Sequence, residues 1–224
     1  MKGDARIYSS VVRRNVRLPY LLYTPQAAAQ KMPLLVFLHG LGERGTDSSV
    51  LKRVGPPKLI EAGREFPFLV AAPLCPPDSS WVLELDALRG LLHELIRRCP
   101  VDTSRIMLTG LSMGGFGTWH CAVENPHAFA AIAPICGGQV SATGLSSRVG
   151  AISHLPTWAF HGAKDEVVPI ERSIEMVDAL RAAGGNVKLT VYPQAGHDSW
   201  TETYENPLLY EWLTAQSNAS FSLD

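Results

Sequence analysis

The sequence predicts an α/β protein: a mostly parallel central sheet with helices on both faces. Three observations predict it. Short continuous apolar runs recur along the chain, with the length of strands buried on both sides. Between them lie stretches whose apolar residues repeat at helical spacing. The two patterns alternate, as strand–helix–strand units require.

Taken in order, residues 7–23 mix Val, Ile, Leu and Tyr with Arg and read as two antiparallel edge strands. Residues 1–30 are thus expected to form the N-terminal edge of the sheet. Leu34 to Leu38 is the first buried strand, ending in His39-Gly40. Phe68 to Ala72 is the second, stopped by Pro73, and Ile106 to Thr109 the third. Ala128 to Ile135, Leu155 to Phe160 and Val187 to Tyr192 complete the set. Leu85, Leu88, Leu91, Leu92, Leu95 and Ile96 share one helical stripe. So do Met113, Phe116, Trp119 and Val123; then Ile170, Ile174, Val177 and Leu180; and finally Leu209, Trp212 and Leu213. Gly184-Gly185 closes the third of these helices as a left-handed cap.

Composition narrows the class. The 224 residues are expected to form one domain, 1–224, and with 46% hydrophobic and 18% charged residues the chain is globular rather than disordered. Twenty Lys+Arg against 21 Asp+Glu leave a net charge of −1, so neither nucleic acid nor an anionic membrane surface is indicated. The start, Met1 to Arg6, lacks the apolar region of a signal peptide, and no run approaches the ~20 apolar residues that span a bilayer. Cysteines 75, 99, 121 and 136 form no CxxC pair and no zinc spacing. They read as buried free thiols, which points to a reducing, cytoplasmic setting with no metal and no cofactor. The oligomeric state is not readable, and a homodimer stays open.

In such sheets chemistry gathers in the loops at the carboxyl ends of strands. After the third buried strand comes Gly110-Leu111-Ser112-Met113-Gly114, a G-x-S-x-G pattern opening an amphipathic helix. A sharp strand-to-helix turn there lifts the Ser112 hydroxyl above the sheet, and only glycine at 110 and 114 leaves room for strand and helix to close in. A serine nucleophile needs a base. Of seven histidines, His93 and His120 lie within helices, and His127 and His154 precede strands at the wrong end of the sheet. His39 belongs to a loop with another task, and His161 stands just ahead of the acid. His197, after the last strand, is the base. Asp165, after the fifth strand, is the acid that orients it, with Glu166 as rival. The order Ser, Asp, His suits this architecture. A tetrahedral oxyanion needs two N–H donors. Met113 supplies one. The loop His39-Gly40-Leu41-Gly42-Glu43-Arg44-Gly45 supplies the other from Leu41, with Gly42 as alternate, and Glu43 and Arg44 pair to brace it. Trp81 and Trp200, on loops at the same edge, are candidate walls of a substrate pocket.

The four segments HGLGERG, GLSMGGFGTW, HGAKDEVVP and AGHDSW resemble, in order and spacing, the serine esterases of the α/β-hydrolase fold. The chain looks most like the carboxylesterase/phospholipase branch and the neighbouring prolyl-oligopeptidase-like peptidases, over about residues 30–215. The resemblance implies a carboxylic ester hydrolase with Ser112, Asp165 and His197 as triad and Leu41 and Met113 as oxyanion hole. A serine peptidase or acyl thioesterase on the same triad is the alternative. Dienelactone hydrolases share the fold but use a cysteine nucleophile, where this elbow carries serine. The 19 residues from Cys136 to His154, rich in Gly, Ser and Thr, leave no room for a large lid domain. Small soluble esters with short to medium acyl chains are therefore the expected substrates.

Overall fold

The computed structural model describes residues 15, 17–26, 31–140 and 143–223. Seven strands form one sheet: β1 (Tyr20–Tyr23), β2 (Met32–Leu38), β3 (Leu69–Pro73), β4 (Val101–Leu111), β5 (Ala131–Ile135), β6 (Thr157–Gly162) and β7 (Val187–Tyr192). Their order is β1-β3-β2-β4-β5-β6-β7. β1 runs antiparallel to β3, and every other pairing is parallel. β1 is the second of the two expected edge strands; the first lies outside the described residues.

The continuous apolar runs follow from cover on both faces. On β2, Leu34, Val36 and Leu38 enter one core, while Leu35 and Phe37 enter the other, as a two-residue side-chain period demands. Helices α2 (Leu85–Arg98), α3 (Met113–Glu124) and α4 (Glu171–Ala182) pack on the first face. Helices α1 (Gly55–Glu61), α5 (Trp200–Glu205) and α6 (Pro207–Thr214) pack on the second. The α2 stripe buries Leu88, Leu91, Leu92 and Leu95, each side chain stabilising the fold by about 1.5–3 kcal/mol. Truncating the fully buried Leu95 to Ala would cost about 2–5 kcal/mol.

Several elements differ from the pattern-based expectation. β7 is only half-buried, because it is an edge strand with a neighbour on one side only. β4 runs eleven residues rather than four, starting at Val101 through a polar half in which Arg105 pairs with Asp102 at 2.7 Å. The buried stripe of α4 is Ser173, Met176, Val177 and Leu180, and Ile174 stays 37% exposed. A serine on the core side hid that stripe; its hydroxyl is satisfied by His161 and the Gly137 carbonyl. Helices α1 and α5 are short and carry no clear period, α1 opening on Gly55-Pro56-Pro57, where proline's missing N–H costs nothing. The expected cap of α4 is present: Gly184 has φ +79°, and the Gly185 and Gly184 N–H groups donate to Leu180 and Arg181 carbonyls. Between β5 and β6 the described residues hold two short 3-10 turns, Leu145–Ser147 and Val149–Ile152, rather than lid helices.

Candidate active site

β4 sits at the centre of the sheet, between β2 and β5. It ends at Leu111 and α3 begins at Met113, so Ser112 alone makes the turn. Its backbone, φ 51° and ψ −116°, is a conformation that costs a non-glycine residue about 1–3 kcal/mol. The flanking glycines make that turn sterically feasible. A Cβ on Gly110 would lie 2.4 Å from the Gly114 carbonyl oxygen, and one on Gly114 only 1.9 Å from that of Leu38. The turn is held from below, where the Ser112 N–H donates to the Ile135 carbonyl at 2.9 Å and lies 3.3 Å from Cys136 Sγ.

Three side chains predicted from separate strand ends meet here. His197 Nε2 lies 2.9 Å from Ser112 Oγ, and His197 Nδ1 lies 2.8 Å from Asp165 Oδ2. A carboxylate only accepts, so Nδ1 carries the proton and the Nε2 lone pair faces the serine hydroxyl. Asp165 Oδ1 accepts the N–H groups of Val167 and Val168 at 2.9 and 2.8 Å. Burial pushes this carboxyl up, but the hydrogen bonds from His197, Val168 and Val167 outweigh it and hold it below the usual carboxylate range. Glu166 is exposed, away from this contact. The remaining histidines are engaged elsewhere. His120 accepts the Val140 N–H, His127 stacks on His154, and His161 approaches Asp165 Oδ2 from the other side at 3.2 Å.

The loop after β2 is stiff. Buried His39 accepts the Cys75 N–H on Nε2 at 2.9 Å, so Nδ1 carries the proton and donates to the Gly40 carbonyl at 2.6 Å. Burial lowers the His39 pKa to about 4, keeping the ring neutral. Glu43 and Arg44 brace the loop through different neighbours rather than as the expected pair. Arg44 donates to the Ser79 and Leu41 carbonyls, and Glu43 sits 3.9 Å from His39 Nδ1. Burial raises the Glu43 pKa, opposed by hydrogen bonds from the backbone N–H groups of Gly40 and Glu43. Leu41 opens a 3-10 turn and Met113 opens α3, so neither N–H has an acceptor within its own helix.

The two tryptophans part company. Trp200 packs its ring edge-on to His197, with centroids 5.2 Å apart, and so stands beside the base. Trp81 is fully buried behind the oxyanion loop, its Nε1–H donating to the His39 carbonyl at 2.9 Å. It braces that loop and cannot line a pocket. Cys136, read as packing, is fully buried beneath Ser112 with φ +40°. No sequence signal marks that backbone. Its sulfur, with Asp165 and His197, is the one grouping of potential metal ligands among the described residues, all within 4.8 Å of one another. Burial pushes the thiol up to about 12, a protonated state ill-suited to a metal. A groove of about 270 Å³ lined by Tyr23, Ile60, Arg64, Phe66 and Phe68 lies by the opposite, amino end of β3, remote from Ser112. No helix among the described residues is long and apolar enough to cross a membrane.

This sheet, with a strained serine at the end of its central strand, defines an α/β-hydrolase. The chain belongs to the phospholipase/carboxylesterase family, whose model matches residues 84–208, more than half of its length. It is 38% identical to a thermostable esterase of known crystal structure, with TM-score 0.76 over 90% of this chain and 60% of that one. A Salmonella typhimurium protein that carries the provisional name carboxymethylenebutenolidase is 34% identical over 126 residues, which are 54% of this chain. The match spans only 45% of that relative. Zea mays acyl-protein thioesterase 2 shares the fold at 21% identity, with TM-score 0.64 over 88% of this chain and 98% of that one.

Proposed function

We propose that the chain is a serine carboxylesterase acting on small, soluble esters with short to medium acyl chains. The relay from Ser112 Oγ through His197 to Asp165, with hydrogen bonds of 2.9 and 2.8 Å, carries this reading. Ser112 Oγ attacks the acyl carbonyl carbon while its proton passes to His197 Nε2. The oxyanion takes the N–H groups of Leu41 and Met113, with Gly42 as the alternate donor. The C–O bond of the ester then breaks, and the imidazolium gives its proton to the leaving alcohol oxygen. Water, deprotonated by His197, attacks the acyl-enzyme, and collapse returns the carboxylic acid and free Ser112. Asp165 stays ionised throughout and stabilises the imidazolium. The short turns between β5 and β6, and Leu41 lying 57% exposed, support an open site for small substrates.

The test is labelling with a fluorophosphonate probe followed by a substrate panel. Wild type should be labelled at Ser112, and Ser112→Ala should lose both the label and at least ~10⁴ of kcat while folding normally. The panel compares p-nitrophenyl esters, acyl-CoA thioesters and peptide amides. Preference for thioesters or amides by kcat/KM would replace the ester reading, and full turnover by Ser112→Ala would end the serine mechanism.

A further inference from the structure

Two imidazoles rather than one stand against Asp165. His161, fully buried near the end of β6, brings Nε2 to 3.2 Å from Asp165 Oδ2, the same oxygen that His197 Nδ1 meets at 2.8 Å. Its Nε2 also lies 2.9 Å from the Val168 carbonyl, and its Nδ1 lies 2.7 Å from Ser173 Oγ on α4. Both neighbours of Nε2 are pure acceptors, so that nitrogen carries a proton. Val168 closes the ring: its carbonyl accepts from His161, while its N–H donates to Asp165 Oδ1 at 2.8 Å. The carboxylate thus has two backbone N–H donors on Oδ1 and the His197 N–H on Oδ2, while the His161 N–H, 3.2 Å from Oδ2, donates to the Val168 carbonyl of the same turn. Without His161 the Val168 carbonyl would lose this partner, and the turn that presents the Val167 and Val168 N–H groups to Oδ1 would lose a tie.

We infer that His161 is a positioning residue for the hydrolysis proposed above, its Nε2–H fixing the Val168 carbonyl and with it the turn whose N–H groups hold Asp165 toward His197 Nδ1. The inference rests on that reading of the triad. The opposing view is a histidine that only joins β6 to α4 through Ser173. The two differ in what they do to titration. The groups around the pair are Ser173 on α4, Cys136 and the Gly137 carbonyl after β5, and His197 with Asp198 after β7. Loosening that turn weakens the Val167 and Val168 N–H donation to Oδ1 and leaves the carboxylate charge less satisfied, so protonated His197 is favoured more strongly. Since neutral His197 is the active base, the acid limb of the kcat/KM profile moves to higher pH.

The experiment compares His161→Gln with His161→Asn, using wild type as reference and Ser112→Ala as blank. The longer Gln amide reaches the Nε2 position, and the shorter Asn amide reaches the Nδ1 position beside Ser173. His161→Gln should keep kcat within about threefold of wild type, while His161→Asn should lose about 10- to 100-fold. In His161→Asn, KM should change little and the acid limb should move up by about half a pH unit or more. Two outcomes would overturn the assignment: wild-type kinetics in His161→Asn, or equal loss in both variants with the limb unmoved and thermal stability reduced. Fluorophosphonate labelling of wild type separates the two layers. Normal labelling without the Gln/Asn contrast refutes only the role of His161, whereas absence of labelling refutes the serine mechanism itself.

Discussion

The two loop systems that flank Ser112 are fastened by different chemistry. On the β2 side, the loop proposed to hold the oxyanion hangs on His39, Trp81 and Arg44. His39 ties Gly40 to Cys75, Trp81 holds the His39 carbonyl, and Arg44 reaches Leu41 and Ser79. On the β6–β7 side, three donors converge on one ionised carboxylate, Asp165. The first side is a rigid scaffold for backbone N–H groups. The second is proposed to move a proton, and its geometry depends on charge. Damage to the scaffold should therefore lower the rate evenly across pH, and damage to the carboxylate should alter how rate depends on pH.

The largest effect is expected from Asp165→Asn. Loss of the anion should lower kcat by about 10⁴, with Glu166→Gln near wild type in the same assay. A reversed order would make Glu166 the acid and dissolve the contrast. On the scaffold side, His39→Ala cuts the two ties that the imidazole makes, to Gly40 and Cys75. Its kcat should fall by about 10²–10³, the cost of one misplaced oxyanion donor. The acid limb of its kcat/KM profile should keep its wild-type midpoint, and a displaced limb would show that the two sides are coupled.

Stability against pH sharpens the comparison further. Burial holds His39 and His120 down to about 4, from 6.5 in the unfolded chain. A histidine pKa lowered by folding adds stability that is fully present above 6.5 and lost as pH falls toward 4. Each contributes about 3 kcal/mol over that window. Thermal unfolding midpoints should thus drop between pH 6.5 and 4, and the drop should be shallower in His39→Ala. Asp165, whose pKa is lowered, gives up its own contribution only at lower pH, below the ordinary carboxylate value.

The smallest effect concerns acyl length. Leu41 and Val167, 57% and 70% exposed, stand on the two sides of the nucleophile with no lid helix between β5 and β6 among the described residues. Each methylene that reaches apolar surface adds up to about 0.8 kcal/mol, roughly fourfold in kcat/KM. For p-nitrophenyl esters kcat/KM should rise from acetate to a maximum no later than about octanoate, then fall. A preference for palmitate, or a rate jump at the solubility limit of a triglyceride, would reveal a groove that the two loops do not show.

Much of this site was legible because it is written in local patterns. G-x-S-x-G marks the turn at Ser112 within five residues, although part of the steric reason is the backbone of Leu38 on the neighbouring β2. That Asp165 and His197 meet at one edge of the sheet was readable from their places after expected strands. Trp81 was not: an aromatic on a loop at the right edge looks like a pocket wall until its indole is seen bonded to the His39 carbonyl. Ser173 was misread for the converse reason. Polarity placed it outside the α4 stripe, yet two hydrogen-bonding partners from other strand ends make its burial favourable.

By itself, then, the sequence determined the alternation of strands and helices, the serine turn and the three strand ends that bring Ser112, Asp165 and His197 together. All of these follow from apolar period and glycine placement within a few residues. Tertiary structure alone decided what those groups rest on: His39 between Gly40 and Cys75, Cys136 beneath Ser112, and His161 on the far side of Asp165. Each of those contacts joins residues brought together by the strand order β3-β2-β4-β5-β6 or by the turn after β6. A buried polar atom takes whichever partner the packing delivers, and no periodicity along the chain encodes that choice.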